Sequence, residues 1–135
     1  MSAKGVYKFY KYFMKEQLIS FETAKLAKEK GFKLGSGWQI RSLFNIKDGK
    51  TFCEKTIETP EYACERCTQS LLQKWLREKH KIVLIVGYQY EHDSTPYSYW
   101  IYKENNSLPL NQWINDLKTY EEALELGLIE ALKLI

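Results

Sequence analysis

The sequence predicts an α+β domain, with an antiparallel sheet of about four strands and helices packed mainly on one face, in the approximate order α-β-β-α-β-β-α. Three observations carry this reading. Gln69–His80 and Thr119–Ile135 repeat apolar residues at helical spacing, Ile82–Val86 is a short β-branched run, and Tyr97–Lys103 alternates along its length. A chain of 135 residues with 44% apolar side chains suits one core, so residues 14–135 read as a single domain and residues 1–13 as an added N-terminal arm.

Ser20 caps a helix over Phe21–Lys30, where Glu22 favours the positive helix start and Gly31 offers a left-handed stop. Phe21, Ala24, Leu26 and Ala27 can cover a core. Trp38–Ile46 and Thr51–Thr59 flank Lys47-Asp48-Gly49-Lys50, a turn signal that predicts a hairpin ending at Pro60. Thr68 caps the next helix, Gln69–His80, with Leu71, Leu72, Trp75, Leu76 and the Lys79 stem on one face.

The strand within Lys81–Tyr90 is apolar on both faces, which predicts a central place in the sheet. Glu91–Pro96 is a short polar turn, so Tyr97–Lys103 returns antiparallel, with Tyr97, Tyr99 and Ile101 on one face and Trp100 and Tyr102 on the other. Asn105–Pro109 is a loop, and Leu110–Leu117 reads as loop and short strand. Thr119 and Glu122 form a capping box for the last helix, whose Tyr120, Ala123, Leu124, Gly127, Leu128, Ala131, Leu132 and Ile135 make a continuous stripe. Leu126 and Ile129 project from its opposite side, as a second contact surface or as tolerated surface apolars.

Composition narrows the function classes. A net charge of +3 from 20 basic and 17 acidic side chains is too balanced to imply nucleic acid by itself. No apolar run approaches the roughly 20 residues that span a bilayer, so no membrane partner is expected. The start lacks the apolar block of a secretory leader, and the odd number of cysteines, three, fits a reducing compartment, which points to the cytoplasm.

Cys64-Glu65-Arg66-Cys67 is the one motif with chemical potential, as a metal half-site or a redox pair. A structural zinc site needs four ligands and a redox pair needs a strand-to-helix setting, so the thiols read first as structural. No cofactor or metal is expected. His92 and Asp93 sit on a polar turn that needs no catalytic explanation, and Gly31, Gly35 and Gly37 fit no phosphate-binding pattern. In the arm, Lys4, Lys8, Lys11 and Lys15 fall on one stripe if helical, among Tyr7, Phe9, Tyr10, Tyr12 and Phe13; a frayed terminus accounts for the same residues.

Three blocks, Ser20–Phe32, Thr68–His80 and Thr119–Ile135, resemble small uncharacterised proteins of Bacteroidetes phages and prophages, over about a third of the chain. The resemblance implies a fold and a mobile-element setting in a bacterial host cytoplasm, and no reaction. Such relatives tend to begin near the position of Met14, which sets Met1–Phe13 apart.

A sheet covered by helices on one face presents its other face to a partner, and 15% aromatic residues exceed what one small core needs. The candidate binding surface is Tyr90, Tyr97, Tyr99, Trp100, Tyr102, Leu126 and Ile129. The expected function is a non-enzymatic binding module. Its partner is expected to be a protein, self-association included; the alternative is single-stranded nucleic acid, stacked on the sheet aromatics and neutralised by the arm lysines.

Overall fold

A computed structural model describes residues 16–90 and 94–135. The α+β class and the order of elements are as the sequence predicts, with one strand more in each half. Helix α1 is Phe21–Glu29, followed by β1 (Gln39–Asn45), β2 (Thr51–Thr56) and β3 (Ala63–Glu65); α2 is Gln69–His80, followed by β4 (Ile82–Tyr88), β5 (Tyr97–Lys103), β6 (Asn111–Leu117) and α3 (Tyr120–Lys133).

The caps set the helix starts where the sequence places them. Ser20, Thr68 and Thr119 are extended residues whose hydroxyls accept the N–H of Thr23, Leu71 and Glu122. Glu122 returns the favour one residue upstream, accepting the Lys118 N–H at 3.1 Å. Lys81 ends α2 in the left-handed region at φ 57°, so helix passes to strand through one residue.

In the first hairpin, Gly49 adopts φ 73° and donates its N–H to the Asn45 carbonyl at 2.7 Å. A side chain here would meet both an unfavourable φ and the Phe21 ring. The strand β3 was not foreseen: three residues are too short for any periodic signal, and only pairing with β1 defines them.

Instead of one sheet of about four strands, the six strands among the described residues form two antiparallel sheets of three, ordered β2-β1-β3 and β4-β5-β6. The predicted central place of β4 is corrected with it. Among the described residues β4 is an edge and β5 is central. An apolar run on both faces of a strand reports that both faces are covered or apolar; it says nothing of how many neighbours share the hydrogen bonds. The segment before α3 is a full strand, β6, whose pairing shifts register between Tyr97 and Tyr99, which hides the alternation from a sequence reading.

Helix α3 organises the core. It packs on one face of β4, β5 and β6 and touches α1 and α2, burying Ala123, Leu124, Gly127, Leu128, Ala131 and Leu132. The α2 face is rotated from its predicted position: Gln69, Leu72 and Leu76 are buried, and Leu71 is 38% exposed. The rotation follows from polar pairing, because the Gln69 amide donates to the Glu121 carbonyl and to Glu125 and is thereby satisfied in the interior. Trp75 remains half-buried, edge-on to Phe32 at 5.2 Å between ring centroids.

Candidate functional site

Two carboxylates, Glu65 buried and Glu125 half-buried, are the first places to look for chemistry. Glu65 at the end of β3 faces Arg41 of β1 at 3.0 Å, both side chains buried. Its second oxygen accepts the Leu34 N–H at 2.7 Å, and Thr59 donates its hydroxyl to the first. Arg41 extends the network to the carbonyls of Gly35 and Ile57 at 2.8 and 2.7 Å, while its Nε has no partner. A cavity of about 390 Å³ adjoins this cluster, lined by the buried Ala24 and Phe32 and the exposed Lys33 and Ser36. Lys28, also in its wall, donates to the carbonyls of Pro60, Glu61 and Ala63 and so ties α1 to the approach to β3.

Glu125 of α3 is the second. It accepts from Ser20 N and Oγ at 3.1 and 2.9 Å, from the Thr23 hydroxyl, and from Gln69 Nε2 at 2.9 Å. A carboxylate at the N-terminus of α1 meets the positive end of the helix dipole. In both clusters the carboxylate oxygens are occupied by donors of the fold itself, which is what a structural anion requires.

The cysteines are free thiols. Cys64 and Cys67 are buried; burial raises both above the usual thiol range, and Cys67 is pushed to about 12 with the Glu65 charge adding to it. That is the opposite of the depressed pKa that a reactive thiol needs. Among the described residues no group of three or more His, Cys, Asp or Glu is placed to hold a metal. Native protein treated with a thiol-reactive disulfide at pH 8 is expected to release about one equivalent quickly, from the exposed Cys53, and the other two only after denaturation. Fast reaction of a second thiol would contradict the burial of Cys64 and Cys67.

The aromatic residues divide between the faces of the second sheet. Tyr99, 1% exposed, belongs to the core and not to a working surface. Its register partner Val86 lies on the same helix-covered face, as do Tyr88 and Tyr97, whose rings meet at 5.3 Å at the sheet's end. Tyr90, 74% exposed, lies just beyond β4. Leu126 and Ile129 are half-buried, and Leu126 packs against the core.

Trp100 and Tyr102 stand on the face that no helix among the described residues covers, the helix-free face. Directly opposite pairs share a face, so Ile85 joins Trp100 and Val83 joins Tyr102. The Trp100 ring lies across Gly87, where a Cβ would come within 2.5 Å of it, so glycine is what lets the ring lie flat on the sheet. Gln112 of β6 is opposite Trp100, and Ile114 falls within the register shift of β6. Ile85 and Ile114 are 47% and 48% exposed. Val83 and Ile85 were absent from the predicted surface, although the antiparallel return of Tyr97–Lys103 onto Ile82–Val86 carried the signal for both. The His92-Asp93 turn and the arm Met1–Phe13 lie outside the described residues.

No family model, curated protein or solved structure matches this chain. No helix among the described residues is long and apolar enough to cross a membrane.

Proposed function

We propose that this chain is a non-enzymatic binding module whose partner is a protein, engaged through the helix-free face of β4-β5-β6. One observation carries the reading. Val83, Ile85, Trp100 and Tyr102 make that face apolar and aromatic, and among the described residues of its three strands no Lys or Arg shares it. Base stacking on aromatic rings needs cations nearby to neutralise phosphate, whereas an uncharged centre rich in Trp and Tyr is the composition of a protein interface. The internal saturation of Glu65 and Glu125 supports binding over catalysis. The likeness of three blocks to phage and prophage proteins supports an accessory role in a mobile element, acting in the host cytoplasm.

Two titrations test this. Labelled single-stranded and duplex oligonucleotides, followed by anisotropy at low and moderate salt, are expected to show no binding; apolar peptides selected from a displayed random library are expected to bind and to lose about tenfold or more in affinity on Trp100→Ser. Micromolar, salt-sensitive oligonucleotide binding that Trp100→Ser abolishes would replace this reading with the single-strand one.

A further inference from the structure

The cavity of about 390 Å³ beside the Arg41 and Glu65 pair is apart from the helix-free face. Helix α1 contributes Ala24 and Lys28 to its wall, the connection into β1 contributes Phe32 to Ser36, and the connection after β2 contributes Glu58 and Thr59. Its volume falls at the small end of the range for ligand pockets, roughly 300–1,000 Å³.

The walls are tied by bonds that do not depend on an occupant. Lys28 holds the carbonyls of Pro60, Glu61 and Ala63, and Glu65 gathers the Leu34 N–H from one connection and the Thr59 hydroxyl from the other. Arg41 adds the Gly35 and Ile57 carbonyls, and Gly37 N donates to the Ile57 carbonyl at 3.0 Å, which joins the two connections directly. A space framed in this way is preorganised, so a guest does not have to open it.

The same bonds consume the inner charges. Lys28 is spent on three carbonyls and Glu65 on Arg41, Thr59 and Leu34, which leaves Ala24, Phe32 and Leu34 as an apolar interior. The wall's outer charges differ. Lys33 and Glu58 are exposed, and among the described residues neither side chain has a hydrogen bond or an ion pair, with each other or with anything else. One cation and one anion without partners therefore stand over an apolar interior.

We propose that this cavity binds a single free α-amino acid with a large apolar side chain, of the size of phenylalanine or leucine. The side chain lies among Ala24, Phe32 and Leu34, the carboxylate meets Lys33 and the ammonium meets Glu58. An apolar acid would bring its carboxylate to Glu58 as well as to Lys33, and an apolar amine would bring its ammonium to Lys33 as well as to Glu58; a zwitterion matches both. The small volume favours one residue over a peptide, whose terminal charges sit on different residues.

The test is titration of the whole chain with L-phenylalanine, L-leucine and two analogues of phenylalanine that each lack one charge, hydrocinnamate and phenethylamine. Backbone amide shifts of Leu34, Gly35 and Thr59 report binding. Phenylalanine is expected to saturate those shifts and to bind about threefold or more tighter than either analogue, the modest factor that exposed charges supply. Lys33→Ala and Glu58→Ala leave every framing bond in place, and each is expected to weaken phenylalanine binding by about threefold or more. Lys33→Ala should not weaken phenethylamine, nor Glu58→Ala hydrocinnamate. The cavity lies outside β4-β5-β6, so this site and the peptide-binding reading can fail separately. No saturable shift with either amino acid, an analogue that binds as tightly as phenylalanine, an affinity unchanged in both variants, or shifts centred on Ile85 and Trp100 would each overturn the proposal.

Discussion

Glu65→Ala is expected to lower the unfolding free energy by about 3–5 kcal/mol, because it strands a buried cation. Arg41 would keep its bonds to the Gly35 and Ile57 carbonyls, but Nη1 would lose its carboxylate, and Nε is already without a partner. Leu34 N–H and the Thr59 hydroxyl lose their acceptor in the same step, so the segment entering β1 and the end of the hairpin loosen together. The double variant Arg41→Met, Glu65→Leu removes both charges and is expected to recover most of the loss, since a buried pair offers little over apolar side chains of similar volume. Urea unfolding with a constant slope measures both. A single-variant loss no larger than that of an ordinary surface substitution, about 0.5 kcal/mol, would sink the idea that this pair holds the first sheet together.

What the sequence made legible was local. Ser20, Thr68 and Thr119 each satisfy an N–H three residues on, so the signature and the structure it produces lie within one turn, and all three helix starts were read correctly. The partition into two sheets was not readable in the same way. Whether β4 is central or an edge depends on which strands share its hydrogen bonds, and its side chains report only what lies above and below. The candidate surface divides along the same line. Trp100 and Tyr102 follow from alternation within β5, and Val83 and Ile85 follow once the antiparallel register is known; Tyr99 was offered as surface because alternation assigns two faces without saying which one the helices cover. Arg41 and Glu65 are 24 residues apart, with nothing in either local pattern to announce that they meet in the interior.

The Glu125 cluster extends that lesson to a predicted effect, an expected loss of about 2–4 kcal/mol in Glu125→Ala. Ser20 looks complete as a cap from sequence alone, yet its own N–H and hydroxyl are both bound by a carboxylate 105 positions along the chain. Thr23 and Gln69 are buried, and each directs a donor at Glu125, so removing the carboxylate takes an acceptor from two enclosed groups and leaves the Thr23 hydroxyl with Ser20 Oγ at 3.0 Å and the Gln69 amide with the Glu121 carbonyl. Since the donors come from the start of α1 and from α2 while the acceptor is on α3, the loss should register as loosening between helices. Faster amide exchange is expected in the first turns of α1 and α2, with the β4-β5 ladder unchanged. Glu125→Gln separates charge from shape: it keeps one accepting oxygen but turns an amide towards groups that donate, and it removes the charge from the positive end of α1. Its loss should therefore be a substantial part of the alanine loss. A Gln variant as stable as wild type would mean that only the packing of this side chain matters, and that the three helices are joined by their apolar faces alone.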